Sequence, residues 1–342
     1  MIVESITLNN VRNHESFSCH FSPGTTVIYG PNGAGKTTVL EAIHSIFQGS
    51  SFKGSDGDML RSGADWYRME MMTDRDRRSV GFSLDIDRPK KKIDIDGVVS
   101  TRMLGKHRYP VVVFSPDDLR LLSGSPSRRR QYLDRIITQI TPSYGSVVRQ
   151  YERSVTQRNK LLKTARSVDE LFPWDVLIGE RGANIIAARV AMINTINEQI
   201  QTTYPLVAQK MDDIKVAYSH QDQFSPQQII YQLHSAFERD TQLGYTTVGP
   251  HRHDMVVTMR GGLAATTASR GENRTIILAL KQSETDLIIE RTKNTPIILL
   301  DDVFGELDDA RRQQVIELFS GMQTIITSTH QFERFADSEI SL

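Results

Sequence analysis

Cysteine is almost absent from this sequence, in which Cys19 is the single example among 342 residues. A chain with one cysteine cannot form an internal disulfide, and it suits a reducing compartment. No stretch approaches the roughly 20 apolar residues that a membrane-spanning helix needs. Residues 1–8 alternate apolar and polar side chains and lack the basic start and apolar run of a secretory signal. These absences predict a folded cytoplasmic protein, with Cys19 as an ordinary half-buried strand residue.

An excess of charge of either sign is also missing, because 41 Lys and Arg balance 41 Asp and Glu. A protein that coats DNA with its whole surface is strongly basic, so this composition excludes that class. Any binding to DNA must use local basic clusters, although such clusters are often only solvated surface. The candidates are Arg75, Arg77 and Arg78, and residues 90–92, 106–108 and 128–130.

Hydrophobic periodicity predicts strands and helices in both terminal parts of the chain. Near the start, the strand patterns after the first helix indicate an antiparallel sheet attached to a strand–loop–helix unit. Near the end, strands alternate with helices, which is typical of a largely parallel sheet with covered faces. The predicted strands are 2–8, 25–29, 68–72, 80–86, 92–96, 111–114, 255–259, 297–300 and 324–327, and the predicted helices are 36–47, 272–292 and 309–319.

The middle of the chain, from about residue 128 to residue 211, is poor in glycine and carries apolar residues at helical spacing. We predict two long helices, at 144–164 and 180–211, with Pro173 and Pro205 bounding or bending the second. This segment is too short for an extended coiled coil, so a compact lobe is expected. The predicted lobes are residues 1–118 with 245–342, which carry the phosphate-binding motif, and a mainly helical lobe at 119–244.

The strongest motif is G-x-x-x-x-G-K-[ST], which begins at Gly30 between a predicted strand and a predicted helix. Glycines allow backbone N–H groups to close around phosphates, and the helix N-terminus adds positive potential. Lys36 would reach the outer phosphates, and Thr37 would offer its hydroxyl to Mg²⁺. The predicted nucleotide-binding residues of this loop are Gly30, Pro31, Asn32, Gly33, Ala34, Gly35, Lys36, Thr37 and Thr38.

A second motif is the apolar run 297–300, which ends in Asp301 and Asp302. Asp301 would hold Mg²⁺, directly or through water, and Asp302 would orient the attacking water as a base. Such a pair can also be a simple helix cap and turn, but the phosphate loop upstream favours the catalytic interpretation. His330, just beyond the last predicted strand, is a second catalytic candidate that could reach a γ-phosphate, or an ordinary surface residue.

A third motif opens the predicted helix 272–292, where Ser269 and Gly271 present a hydroxyl and backbone donors to an anion. By itself this is a common capping sequence. Arg12 and Asn13 follow the first predicted strand and are candidates to reach a phosphate, with a surface loop as the alternative. His251 and Arg252 follow a Gly-Pro pair. Two roles are open for them: a structural one, or positioning of the helix that follows Ser269.

The order of these motifs is that of ABC-type ATPases: phosphate loop, signature serine, carboxylate strand, D-loop and switch histidine. More closely, the chain resembles the RecF family of DNA replication and repair proteins over essentially its whole length. The most diagnostic matches are G-S-P-S-R-R-R at 124–130 leading into Y-L-D at 132–134, G-P-H-R at 249–252, and D-D-V-F-G-E-L-D-D at 301–309. Further matches lie at 8–14, 40–43 and 113–119.

The resemblance implies an α/β fold, an ABC-type P-loop ATPase head (Rad50/SMC-like) with an inserted helical lobe. It implies that ATP drives a head-to-tail homodimer, with each ATP between the phosphate loop of one subunit and Ser269 of the other. Hydrolysis, with Asp302 and His330, would then open the dimer. The resemblance also implies a weak DNA-stimulated ATPase, binding to single-stranded and gapped or junction DNA, and RecR- and RecO-like partners in recombinase loading.

The sequence departs from the family pattern at the signature and directly after the block at 249–252. Glu272 and Asn273 stand where the family usually has two glutamines, and His253 where it usually has aspartate. An acidic Glu272 near a triphosphate is electrostatically unfavourable unless its carboxylate points away.

Three other protein classes share part of these motifs. The nucleotide-binding subunit of an ABC transporter is the main alternative, but the spacing from Thr38 to Ser269 leaves room for a whole helical lobe. A structural-maintenance or Rad50-type head would need a longer inserted coiled coil, and a small-molecule kinase would not explain the block at 301–309.

Overall fold

A computed structural model of the protein describes residues 1–84, 90–220, 225–307, 309–331 and 336–342, without the side chains of Glu306, Asp309 and Ala310. The strands are β1 Val3–Val11, β2 His14–His20, β3 Thr25–Tyr29, β4 Trp66–Thr73, β5 Arg77–Ser83, β6 Lys90–Ile95, β7 Val98–Ser100, β8 Val111–Phe114, β9 Ile214–Tyr218, β10 Met255–Met259, β11 Gly262–Leu263, β12 Ile297–Asp301, β13 Thr324–Ser328 and β14 Ser338–Ser341. The α-helices are α1 Lys36–Gln48, α2 Pro126–Ile140, α3 Tyr144–Leu161, α4 Phe172–Ala208, α5 Pro226–Ser235, α6 Phe237–Leu243, α7 Ala264–Thr267, α8 Arg270–Thr292 and α9 Asp309–Leu318. None of the helices in this described part of the chain is long and apolar enough to cross a membrane.

The chain divides into two compact units, unit 1 (Met1–Asp118 and Thr285–Leu342) and unit 2 (Leu119–Glu284). The sequence prediction placed the return to the first lobe near residue 245, whereas the structure places it at 285. The reason is that β10 does not resume the parallel sheet. It pairs antiparallel with β9 inside unit 2, in a three-stranded sheet of order β11-β10-β9.

The parallel sheet of unit 1 has the order β14-β3-β13-β12-β8, and every one of these pairs is parallel. All five residues of β12 and of β13 are buried, as expected for strands covered on both faces. The carboxyl ends of β3, β12 and β13 therefore meet at one edge of the sheet. That edge is the usual ligand position of such folds, and it gathers the phosphate loop, Asp301 and the chain that leads to His330.

The antiparallel sheet of unit 1 has the order β2-β1-β4-β5-β6-β7, which confirms the predicted sheet. Strand β2 was not predicted, because its only fully buried side chains are His14 and Cys19 and its pattern is mostly polar. Cys19 lies in a strand as predicted and is more buried than expected, at 8% exposure, and burial raises the pKa of its thiol to about 12. Asp85 and Ile86, which end the predicted strand 80–86, lie outside the described residues.

Unit 2 is built on the two long helices α3 and α4, as the periodicity predicted. Pro173 lies in the first turn of α4 and Pro205 lies inside it. Of the apolar residues at helical spacing in the second predicted helix, Ile186, Ile193, Ile196 and Ile200 are buried and Val190 is partly buried. Arg158 of α3 is fully buried in the same unit. It pairs with Asp175 of α4 at 2.6 Å and with Asp240 of α6 at 2.7 Å.

Candidate functional site

The phosphate loop, residues 30–37, connects β3 to α1 and depends on glycine for its shape. Gly33 and Gly35 have φ angles of 86° and 96°, in the left-handed region that side chains disfavour. A Cβ at Gly35 would also lie 2.3 Å from Nε2 of His14. Because α1 begins at Lys36, the loop presents the N-terminus of a 13-residue helix, where backbone N–H groups favour an anion.

Lys36 is folded into the phosphate loop and is 7% exposed. Its Nζ donates to the carbonyl oxygens of Gly30 at 2.7 Å and Pro31 at 2.9 Å. Both partners are neutral. A phosphate oxygen would offer the ammonium a hydrogen-bond acceptor of opposite charge.

Asp301 ends β12 with 1% exposure and receives three hydrogen bonds. Its Oδ1 accepts from the Thr37 hydroxyl at 2.6 Å and from the Thr327 hydroxyl at 3.1 Å. Its Oδ2 accepts from Nζ of Lys53 at 2.7 Å. The structure thus brings Thr37 and Asp301 together, as the motifs indicated. Lys53 and Thr327 were missed, because a lysine in a loop and a threonine in a strand carry no local signal.

The donor set at Thr37 and Asp301 fits Mg²⁺, which prefers oxygen ligands and often binds through one or two carboxylates together with substrate phosphates. Throughout the described ranges, no group of three or more His, Cys, Asp and Glu residues could hold a metal ion. A metal here would therefore depend on Thr37, Asp301 and phosphate oxygens together.

Asp302 and His330 lie at the same edge of the parallel sheet. The backbone of Asp302 is left-handed, with φ of 53°, a conformation that costs energy in a non-glycine residue and often marks a functional site. Its N–H donates to the Thr327 hydroxyl at 2.9 Å. His330 follows β13, and its N–H donates to Oγ of Ser328 at 3.0 Å. Asp308, in the predicted D-loop, lies outside the described residues.

The turn between β1 and β2 lies against the phosphate loop. Asn13 donates from Nδ2 to the Gly33 carbonyl at 2.6 Å, and Nε2 of His14 is 3.2 Å from the Gly35 carbonyl. Arg12 pairs at 2.8 Å with Glu41 of α1. Burial raises the pKa of the Glu41 carboxyl, and the nearby Arg12 opposes that rise. Arg12 and Asn13 therefore lie at the loop, and not on a distant surface.

Ser269 and Glu272 form a reciprocal cap at the start of α8. The Glu272 N–H donates to Oγ of Ser269 at 3.2 Å, and the Ser269 N–H donates to Oε2 of Glu272 at 2.9 Å. Oε1 of Glu272 accepts from Arg260 at 2.7 Å and from Lys210 at 2.9 Å. Hydrogen bonds from Lys210, Ser269 and Arg260 lower the pKa of Glu272 far below its usual value. Ser269 itself is exposed.

The diagnostic block at 249–252 is occupied by contacts inside unit 2. His251 lies 2.6 Å from the Tyr151 hydroxyl and 3.0 Å from the Thr246 carbonyl, and Arg252 donates to the same carbonyl. Burial lowers the pKa of His251 to about 4, so it is neutral at pH 7. These bonds favour a structural role for both residues.

The basic cluster at 128–130 is not a free surface. Arg129 makes a two-point pair with Asp254 at 2.8 and 2.7 Å and donates to the Gly124 carbonyl, and Arg130 donates to the His253 carbonyl. Cations at a helix start are unfavourable unless they are compensated, and these internal partners supply the compensation. The hypothesis that they contact DNA phosphate is therefore not supported for Arg129 and Arg130.

Two further predicted basic clusters, Arg75 with Arg77 and Arg78, and residues 90–92, are likewise partly used inside unit 1. Arg78 is 4% exposed and makes a two-point pair with Asp76 at 2.8 and 2.7 Å. Lys91 pairs with Asp56 and donates to the Gly49 carbonyl at 2.8 Å. Arg77 pairs with Glu70 at 3.1 Å.

Comparisons with known proteins agree with this fold. A family model described as an AAA domain matches residues 5–232. The DNA replication and repair protein RecF of Lachnoclostridium phytofermentans is 34% identical, over 99% of this chain and 96% of that protein. Among solved structures, the recombination mediator protein RecF-ATPrS in the RecFOR pathway matches with a TM-score of 0.88 at 28% identity, over 99% of this chain and 95% of that one. The RecF-ATP structure in the same pathway matches with a TM-score of 0.85 at 29% identity, over 96% and 92% of the two chains.

Proposed function

Because the chain belongs to the RecF family of DNA replication and repair proteins, we propose that it is an ATP-controlled DNA-binding protein and a weak DNA-stimulated ATPase. The hydrogen bond of 2.6 Å between Thr37 and Asp301 carries this proposal. It joins the phosphate loop to the carboxylate strand, so a hydroxyl, a carboxylate and a helix N-terminus converge where a Mg²⁺–triphosphate would lie. Because the chain belongs to this family, the proposal takes the place of the alternative that the chain is the nucleotide-binding subunit of an ABC transporter.

Each residue of the site has a defined task in this proposal. Backbone N–H groups of residues 30–38 and the Lys36 ammonium hold the phosphates, while Thr37 and Asp301 hold Mg²⁺. When bound, Mg²⁺ would neutralise charge that develops on the phosphate oxygens during phosphoryl transfer. Arg12 and Asn13 approach the nucleotide from the adjacent turn.

Catalysis in the proposal needs two further side chains. Asp302 orients the attacking water and accepts its proton, which requires the carboxylate to be near the γ-phosphate. His330 donates a hydrogen bond to the γ-phosphate and so distinguishes ATP from ADP. The left-handed backbone of Asp302 supports this assignment, because such a conformation persists only where the surrounding structure requires it.

A second copy of the chain completes each site. Ser269 and Gly271 at the start of α8 would contact the γ-phosphate held by the phosphate loop of the other copy, so two ATP molecules join two subunits about a twofold axis. ATP binding would close this dimer, and hydrolysis would open it. The exposed Ser269 supports this arrangement, and the RecF-ATP relative supports ATP as the nucleotide.

DNA is the proposed partner of the closed dimer, in single-stranded and gapped or junction forms, with RecR- and RecO-like proteins as further partners. The relatives named as recombination mediators of the RecFOR pathway support these partners. Since the chain has no net charge, phosphate contacts must come from local positive surfaces, and binding should weaken as salt is raised.

Sizing and DNA binding of the wild type and Lys36→Met test this function directly, with Mg²⁺ and either no nucleotide, ATP or ADP. We expect ATP alone to drive dimerisation and to tighten DNA binding, because only the γ-phosphate reaches the second copy. Lys36→Met should lose both effects while remaining folded. A wild type that stays monomeric and ignores DNA in every state would contradict the proposal.

A further inference from the structure

Four charged side chains in unit 2 form a closed ring beside the start of α8. Arg260 joins two carboxylates, with Nε 2.8 Å from Oδ1 of Asp212 and Nη2 2.7 Å from Oε1 of Glu272. Lys210 joins the same two, at 3.1 Å from Oδ2 of Asp212 and 2.9 Å from Oε1 of Glu272. We call Lys210, Asp212, Arg260 and Glu272 the charge ring. Its two positive and two negative groups sum to zero.

The charge ring is built from three separate elements, and the backbone supports it. Lys210 follows the end of α4, where Gln209 has a left-handed φ of 53°, and Arg260 has the same φ in the turn between β10 and β11. The Arg260 N–H donates to the Asp213 carbonyl at 2.9 Å. The Tyr204 hydroxyl donates to Asp212 at 3.1 Å. Both cations are thus directed at Glu272 by ordered structure, although about half of each side chain is exposed.

The position of Glu272 explains why such a ring is useful. In the proposed dimer, Ser269 meets the triphosphate held by a second copy, and Glu272 is three residues further along the same helix. An uncompensated carboxylate there would repel the phosphates. In the structure its Oε2 accepts from the Ser269 N–H and its Oε1 faces both cations, so the two cations offset its negative charge beside the exposed hydroxyl.

We propose that Lys210 and Arg260 are positioning residues that make this acidic signature helix compatible with ATP held by a second copy of the chain. The inference rests on the dimer proposed above. It also predicts a specific dependence: the two cations are needed only while residue 272 carries a negative charge. Glutamine at this position keeps the cap, because Glu and Gln serve equally as the third residue of a capping box.

A double-mutant cycle on the full chain tests this dependence. The variants are Lys210→Met, Arg260→Met and Glu272→Gln, alone and combined, and dimer formation is measured by sedimentation with Mg²⁺ and ATP and without nucleotide. Lys215→Met is the matched control, since Lys215 is an exposed cation that pairs with Asp213 at 3.1 Å outside the ring. Circular dichroism checks that every variant is folded.

We expect Lys210→Met and Arg260→Met each to raise the concentration for half-dimerisation with ATP by roughly tenfold. Adding Glu272→Gln should restore dimerisation to near the wild-type level, and Lys215→Met should have no effect. Suppose that the wild type dimerises, but that Lys210→Met and Arg260→Met either stay weakened after Glu272→Gln is added or dimerise no worse than the Lys215 control. The inference about the two cations is then wrong, and the proposed dimer stands. If neither the wild type nor Glu272→Gln dimerises with ATP, the proposed function itself fails.

Discussion

At the scale of single residues, the Thr327 hydroxyl decides how the two carboxylate residues at the end of β12 are arranged. It accepts from the Asp302 N–H at 2.9 Å and donates to Oδ1 of Asp301 at 3.1 Å. With the Thr37 hydroxyl also on Oδ1, one oxygen of Asp301 is fixed by two hydroxyls, while Lys53 contacts the other. The two hydroxyls therefore orient the Asp301 carboxylate for binding a cation. The Lys53 ammonium competes with that cation for the carboxylate.

Replacing Lys53 with Met should therefore strengthen Mg²⁺ binding at Asp301. The Lys53 side chain is 36% exposed in its ion pair with Asp301, and partly exposed pairs contribute roughly 0.2–1 kcal/mol. We expect the Mg²⁺ concentration that gives half-maximal ATP turnover to fall by a factor of about 1.4 to 5. Magnesium titrations of ATP hydrolysis measure this change. Lys53→Arg, which keeps the charge, should titrate like the wild type, and a higher Mg²⁺ requirement in Lys53→Met would refute the competition.

At the scale of elements, the turn between β1 and β2 and the phosphate loop are built against each other. The His14 ring lies where a side chain at Gly35 would be, and Asn13 bonds the Gly33 carbonyl. The loop conformation is therefore determined by its own glycines and by a turn that comes about 20 residues earlier. Arg12 extends the same contact to α1 through Glu41.

Gly35→Ala should destabilise the protein more than Gly33→Ala, although both positions have a left-handed φ, 96° and 86°. The left-handed backbone costs each variant about 1–2 kcal/mol. Only the new methyl at residue 35 meets another group, 2.3 Å from His14, because nothing lies within 4 Å at residue 33. Urea unfolding of both variants at pH 7 measures the difference in the free energy of unfolding. Equal losses would show that the His14 contact imposes no constraint.

At the scale of the whole molecule, both units bury charged groups, and unit 2 also contains two histidines whose pKa values burial lowers. Unit 1 has a largely apolar core between its sheets and α1, with Ile6, Leu40 and Phe47 at 0–1% exposure. Unit 2 buries charged and titratable groups, including the Arg158 cluster with Asp175 and Asp240. Burial lowers the pKa values of His251 to about 4 and of His253 to about 3.

The lowered pKa values of these two histidines predict that acid destabilises the chain partly through unit 2. The folded pKa of His251 lies below its usual 6.5, so the unfolded state binds more protons between about pH 6.5 and 4. Stability should therefore fall as pH drops through that window, by up to about 3 kcal/mol from His251. Denaturant unfolding at pH 7 and pH 5 measures the loss. His251→Gln should lose less unfolding free energy between pH 7 and pH 5 than the wild type, whereas the exposed control His20→Gln should lose as much. Identical losses in the wild type and both variants would contradict the assignment of the effect to His251.

The sequence by itself determined the features that depend on neighbours along the chain. The glycine pattern and Lys36 located the phosphate loop, the apolar run at 297–300 located a buried strand, and alternating patterns predicted the antiparallel sheet. These were readable because helix and strand periodicity, and the backbone freedom of glycine, are local properties. The pairing of Thr37 with Asp301 could also be expected, since parallel strands align their carboxyl ends.

Only the tertiary structure decided which distant groups meet. It assigned β10 to β9 and so moved the unit boundary to 284/285, because strand pairing depends on the register of segments far apart in sequence. It also placed Lys53 on Asp301, and Lys210 and Arg260 on Glu272. A lone cation in a loop gives no sign of its partner, since long flexible side chains are directed by the surrounding fold and not by their sequence neighbours.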